Sequence, residues 1–137
     1  MLLSSSLGGE AHQVGQVLQQ LDGFPNLMSA AQTLRSQAPN PLFLHAGDMF
    51  QGTLYFTQFL GAADTDFWNL MKLDVTTLGN HEFDKGPLIL LNNLLQPAAF
   101  TIVSANLDIA AEPQLKGVRI LPYTTRKFHG EEGGSSA

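Results

Sequence analysis

Two stretches, LFLHAGD at residues 42–48 and VTTLGNHEFD at residues 75–84, decide the fold predicted for this chain. Each begins with an apolar run that is too short for a helix and stops at turn-forming residues, which predicts a buried strand. Polar side chains follow each run at once. Because open α/β sheets place their ligand sites at the carboxyl ends of the strands, we expect the chemistry of the protein to lie at these two strand ends.

The segments around these strands alternate between helix and strand. A helix is predicted over 25–37, with Leu27, Met28, Ala31 and Leu34 on its buried face. A further helix, capped by Asp64 or Thr65, carries Phe67, Trp68, Leu70 and Met71 and ends before Asp74. The segment 88–95 predicts another helix and 100–104 another strand, and the spacing of Val14, Val17, Leu18 and Leu21 predicts a helix over 12–21. The aromatic cluster Phe50, Tyr55, Phe56 and Phe59 is interpreted as core, and His45 as a hydrogen-bonded core histidine.

The predicted fold class is α/β, with three parallel strands joined by crossover helices and a C-terminal β segment. Right-handed crossovers make the strands 42–46, 75–78 and 100–104 parallel, so their following loops meet at one edge. Residues 118–121 and 123–128 flank Pro122 and predict a more exposed, partly antiparallel β segment.

Composition limits the class of protein. The 137 residues fit one domain, and the net charge of -5 with only seven scattered Lys and Arg residues argues against a nucleic-acid polymer as partner. The absence of Cys excludes thiolate metal sites and a cysteine nucleophile. The sequence predicts no membrane segment, and its first nine residues lack the features of a signal peptide.

Four polar residues suggest metal-assisted phosphate chemistry. The Asp48 carboxylate can bridge two divalent cations, and Asn80 can ligate one through its amide oxygen. His81 is then free to face a substrate, and Asp84 is placed to orient its ring. Taken singly, each has a plainer interpretation: Asp48 as a turn residue, Asn80 as a left-handed turn residue, His81 as a solvated histidine, and Glu82 and Asp84 as acidic residues favoured ahead of a helix.

The motifs GDMFQGT (47–53), GNHEFDKG (79–86) and SANL (104–107) resemble the N-terminal metallophosphatase domain of the 5'-nucleotidase family, within the calcineurin-like metallophosphoesterases. The resemblance implies a four-layer α/β sandwich, two divalent ions (Mn, Zn, Mg or Co) and hydrolysis of a nucleoside monophosphate to nucleoside and phosphate. It implies that Asp48 and Asn80 are metal ligands and that His81 and Asp84 form the catalytic dyad. For full-length members it implies a periplasmic, extracellular or cell-surface location.

The chain departs from the family pattern in its metal ligands. The family's opening Asp-x-His is absent; Glu10-Ala11-His12 has a similar spacing, but no strand is predicted before it and it starts a predicted helix. The family's later histidines and its second, substrate-binding domain are not found either; His12 and His129 are interpreted as surface residues. We therefore predict an atypical segment at 1–22, a partial metallophosphoesterase domain at 23–128 and a disordered tail at 129–137. The chain is interpreted as a fragment that has little activity by itself.

Two alternatives to the interpretation as a phosphohydrolase fragment remain open. One is a non-catalytic binding module, or pseudoenzyme, that retains the fold. The other is an assembly subunit that receives its missing ligands from a second chain, such as a C-terminal nucleotidase domain.

Overall fold

A four-stranded sheet forms the centre of the computed structural model, which describes residues 2–4, 23–52 and 54–128. The strands are β1 (Leu2–Ser4), β2 (Leu42–His45), β3 (Val75–Thr77) and β4 (Thr101–Val103), in that order across the sheet. The pairings β2–β3 and β3–β4 are parallel, which confirms the predicted arrangement of three parallel strands. β1 pairs antiparallel with β2, and the sequence interpretation had no strand in this region.

One helix precedes β2, and the others lie between the parallel strands, as predicted for crossover connections. They are α1 (Phe24–Gln37), α2 (Leu54–Phe59), α3 (Ala62–Leu70) and α4 (Pro87–Leu90), and α4 continues as a π-helical turn over Leu91–Leu95. Two 3₁₀ turns cover His81–Phe83 and Pro113–Leu115. The short helix α2 was not predicted, because its six residues fall inside an aromatic cluster without a clear helical period.

The predicted cap of α3 is wrong. The helix begins at Ala62 with Gly61 before it, and Asp64 and Thr65 are buried in its first turn. Gly61 has a left-handed φ of 89°, and a side chain there would overlap the ring of Phe50. The Thr65 hydroxyl donates instead to the carbonyl of Asn93, 2.6 Å away, and so ties α3 to the π-helical turn.

The core lies between the helices and the sheet. Its most deeply buried apolar side chains are Phe43, Phe50, Leu90 and Leu94. Phe43 is the only fully buried side chain of β2, whose other residues are half-buried, so the prediction of burial on both faces was too strong. The aromatic cluster divides: Phe50 and Phe56 are buried, whereas Tyr55 and Phe59 are about half exposed. The predicted core assignment is wrong for these last two residues.

The C-terminal β segment differs from its prediction. Leu121 forms a single parallel bridge with Val103, and the segment 122–128 contains no strand. The expected antiparallel pairing is therefore wrong, because the backbone of Leu121 extends the parallel sheet instead. The predicted helix over 12–21, the tail 129–137, and the residues His12 and His129 lie outside the described residues. Within the described ranges, no helix is long and apolar enough to cross a membrane.

Truncation of Leu94 tests the packing of the π-helical turn after α4 into the core. Leu94 is fully buried, so we expect Leu94→Ala to lower the free energy of unfolding by about 2–5 kcal/mol through lost burial and the cavity left behind. Leu88→Ala, on the same helical segment at a half-exposed position, should change it by less than about 0.5 kcal/mol. Denaturant unfolding measures both, and equal losses would contradict this packing.

Candidate active site

A buried carboxylate joins the two polar loops. Glu82 is 1% exposed and accepts four backbone N–H groups, with no ion pair of its own among the described residues. Its Oε2 accepts the N–H of Asp48 at 2.9 Å and that of Gly79 at 2.5 Å, and its Oε1 accepts those of Phe50 at 3.2 Å and Met49. Multiple N–H donors offset the cost of burying the charge. The loop after β2 is thereby held against the loop after β3.

The carboxylate of Asp48 sits directly over the second loop. Its Oδ1 accepts the backbone N–H of His81 at 3.1 Å. A Cβ atom on Gly79 would lie 2.1 Å from the same oxygen, so this approach requires glycine at position 79. Asp48 itself has a left-handed φ of 58°, a conformation that costs free energy in a non-glycine residue. Asn80 is exposed and lies between Gly79 and His81 in the chain.

His81 and Asp84 form a hydrogen-bonded pair at the surface of the site. His81 Nδ1 lies 2.8 Å from Asp84 Oδ2, and the same oxygen accepts the side-chain N–H of Gln51 at 2.6 Å. The hydrogen bond to Asp84 raises the pKa of His81. The pKa of Asp84 is lowered, mainly by the hydrogen bond to His81 and also by the hydrogen bond from Gln51. Because Nδ1 faces Asp84, the Nε2 atom is the one left to face a substrate.

His45 lies at the end of β2 beneath the first loop. Its Nδ1 accepts the backbone N–H of Gly47 at 3.1 Å, and its ring centre lies 4.6 Å from that of Trp68. Burial lowers the pKa of His45 to about 4, so the ring is neutral at neutral pH. The predicted hydrogen bond of this histidine is confirmed, although the residue is half-buried rather than fully enclosed.

The structure thus brings together Asp48, His81 and Asp84, and Asn80 directly precedes His81 in the same loop. It adds two residues that sequence reasoning missed. Glu82 was interpreted as an acidic residue ahead of a helix, and its sequence neighbourhood gives no sign that it turns inward under four N–H groups. Gln51 reaches Asp84 from the other loop, a contact across 33 positions that only the folded sheet edge creates.

The donor set suits a divalent metal but is small. Asp48 and Asn80 supply hard oxygen atoms of the kind that magnesium and manganese prefer. Across residues 23–52 and 54–128, no group of three His, Asp or Glu side chains is close enough to hold an ion. The described residues therefore fit one corner of a metal centre.

The family follows from comparison with known proteins. The family model of the calcineurin-like phosphoesterases matches residues 11–135. The chain belongs to this family. It is 40% identical to the 5'-nucleotidase of Rattus norvegicus over 114 residues, a match that covers 82% of this chain and 20% of the relative. The resemblance inferred from the motifs at 47–53 and 79–86 is confirmed.

Solved structures agree with this membership. The 5'-nucleotidase precursor of Thermus thermophilus is 48% identical, with a TM-score of 0.67, over 74% of this chain and 20% of that one. The NAD nucleotidase of Haemophilus influenzae is 40% identical, with a TM-score of 0.68, over 80% and 19% respectively. The α/β fold class is therefore shown, and the chain spans about a fifth of the length of these relatives.

The hydrogen bonds to Glu82 give the first test of the site. In Glu82→Gln, an amide group replaces one oxygen and turns a donor toward N–H groups, so we expect a loss of about 2–4 kcal/mol in the free energy of unfolding. The matched control is Glu112→Gln, since Glu112 accepts a single backbone N–H, that of Gln114, at the surface. That control should lose less than about 1 kcal/mol. A Glu82→Gln protein as stable as the control would refute the structural role of Glu82.

The lowered pKa of His45 predicts a pH dependence of stability. The unfolded chain binds a proton at about pH 6.5 and the folded chain only near pH 4, so stability falls as the pH drops from about 7 toward 4. We expect His45 to contribute about 2 kcal/mol of this loss, allowing for the part of the ring that solvent still reaches. His45→Gln should flatten the decline, as followed by urea unfolding at several pH values. An unchanged slope in the variant would contradict the assignment.

Proposed function

We propose that the chain carries part of the active site of a metal-dependent phosphohydrolase of the 5'-nucleotidase type, which converts a nucleoside monophosphate to nucleoside and phosphate. The observation that supports this most directly is the approach of the Asp48 carboxylate to the backbone of His81, which puts an oxygen ligand beside a histidine held by Asp84. Membership of the calcineurin-like phosphoesterases and the nucleotidase names of the relatives agree with it.

The roles of the side chains follow from their chemistry. Asp48 and Asn80 would hold divalent ions, and such ions, when bound, neutralise the charge on the phosphoryl oxygens. His81, kept protonated to higher pH by Asp84, would donate a proton from Nε2 to the leaving alkoxide of the nucleoside. Asp84 fixes the ring, and Gln51 fixes Asp84. Glu82 holds the two loops in a fixed position relative to each other.

We expect the activity of this chain alone to be low. Two hard cations need several protein ligands each, and Asp48 with Asn80 gives only one bridge and one further ligand. The proposal includes a nucleotide substrate, divalent metal ions and a further nucleotidase domain as partner. The further domain is included because the relatives are about five times longer than this chain.

A binding module without catalysis is the second candidate. Glu82 holds the loops together through four hydrogen bonds that need no metal, so the site geometry can persist as a binding surface. This candidate predicts manganese binding that Asp48→Asn abolishes, without phosphate release.

Phosphate release from nucleoside monophosphates, with and without Mn²⁺, tests the catalytic proposal. We expect a slow rate that requires the metal and falls about 100-fold or more in His81→Ala, since general acid catalysis contributes on that scale. Release that is equal in wild type and His81→Ala would contradict it. Asp108→Asn, which alters an exposed aspartate outside the site, should leave the rate unchanged.

The pH profile of the same reaction tests the His81–Asp84 pair. If protonated His81 is the proton donor, the rate falls as the pH rises through the pKa of His81 and the ring loses its proton. Asp84→Asn removes the carboxylate that raises this pKa, so the alkaline limb should move to lower pH. A limb that stays in place would exclude His81 as the proton donor.

A further inference from the structure

A cavity lies at the opposite edge of the sheet from the candidate active site. It encloses about 380 Å³, and its lining includes residues just before β3 and at the start of β4, namely Leu73, Asp74, Phe100 and Thr101. The loops that carry Asp48 and His81 follow the carboxyl ends of the strands instead. The two sites are therefore separated by the length of the parallel strands, and the phosphohydrolase chemistry makes no use of this cavity.

The cavity is basic although the chain is acidic. Arg35, Lys72 and Arg126 line it, three of the seven Lys and Arg residues of a chain whose net charge is -5. Asp74 is the one acidic side chain in the lining. Three cations around one carboxylate leave two positive charges in excess, which favours a negatively charged ligand.

The carboxylate of Asp74 is already engaged. Its Oδ2 accepts from Arg35 Nη2 at 2.6 Å and from the backbone N–H of Phe43 at 2.9 Å. Arg126 lies farther away, with Nη2 3.7 Å from Asp74 Oδ1, and is about half exposed. Asp74 thus positions Arg35 but leaves much of the donor capacity of Arg126 available to another acceptor.

Arg35 is held in place and has a donor without an acceptor. Its Nη2 also donates to the carbonyl of Lys72 at 2.5 Å, and its guanidinium carbon lies 5.7 Å from the ring centre of Phe43. The Nε atom of Arg35 is buried and has no hydrogen-bond partner among the described residues. Buried donors are normally satisfied, so this N–H is an exception in a guanidinium group that otherwise donates to Asp74 and to the carbonyl of Lys72.

The amide of Asn69, which also lines the cavity, is not available to a ligand. Asn69 uses both ends of its amide within the fold: Nδ2 donates to the carbonyl of Pro97 at 2.9 Å, and Oδ1 accepts the N–H of Ala99 at 2.7 Å. The charged donors of the cavity are guanidinium and ammonium groups, and the N–H groups of both match the oxygens of a phosphate group.

We propose that this cavity, defined by Arg35, Lys72 and Arg126, is a binding site for a phosphate-class oxyanion, either inorganic phosphate or the phosphate group of a nucleotide. Its volume accommodates such a group with room for a further moiety. The site is independent of the metal ligands, so it binds without a divalent ion and does not depend on the proposed catalytic function.

Calorimetric titration of metal-free protein, prepared on a chelating resin and kept at low ionic strength, tests the site. Inorganic phosphate should bind saturably, and Arg126→Ala and Lys72→Gln should each raise its Kd about tenfold through loss of a charge-assisted contact. Both side chains are substantially exposed, so the fold should be retained. Arg119→Ala is the matched control, because it removes an exposed cation that does not line the cavity, and it should change Kd less than about twofold.

Three ligands and a map of the binding site complete the test. A nucleoside monophosphate that binds more tightly than phosphate identifies a nucleotide as the source of the group, and equal affinity identifies free phosphate; both support the site. A nucleoside without phosphate should not bind, and binding of it would overturn the proposal. Amide chemical shifts should change at Phe100 and Thr101. Shifts confined to residues 79–81, a Kd unaffected by Arg126→Ala, or an equal effect of Arg119→Ala would each overturn the site.

Discussion

The buried carboxylate of Glu82 is the constraint on which the candidate active site depends. Parallel strands bring the loops after β2 and β3 to one edge, where side chains rather than sheet hydrogen bonds join the two loops. Four backbone N–H groups, three from one loop and one from the other, converge on this side chain. Through it, Asp48 reaches the backbone of His81 and Gln51 reaches Asp84. A charge that would be costly to bury alone becomes the link between two sequence motifs.

The two edges of the sheet carry side chains of opposite charge. At the carboxyl edge, Asp48, Glu82 and Asp84 concentrate negative charge around loops that suit cations. At the amino edge, Asp74 anchors Arg35 beside β2 and leaves a basic cavity. The acidic chain thus keeps the carboxylates of one edge apart from the cationic cavity of the other, because the strands lie between the two groups of side chains.

The predictions from sequence were correct where the hydrophobic periodicity was clear and turn-forming residues marked the ends of the elements. The three parallel strands, α1 and the placement of Asp48 and His81 at neighbouring strand ends follow from short apolar runs and turn residues. The predictions were wrong where tertiary contacts override local preference. Asp64 and Thr65 have the chemistry of a helix cap but are buried in α3, because Gly61 makes room for Phe50 and Thr65 donates to Asn93. The antiparallel C-terminal segment failed for the same reason, since Leu121 pairs with Val103 instead.

The sequence by itself determined the family, the fold class and the identity of the polar residues that follow the strands, since motif spacing and hydrophobic period are local properties of the chain. Only the tertiary structure decided which of those residues meet. Glu82, Gln51 and the cavity formed by Arg35, Lys72 and Arg126 depend on contacts between residues more than thirty positions apart. No local pattern encodes such contacts, because they arise when crossover connections bring separate strand ends to the same edge.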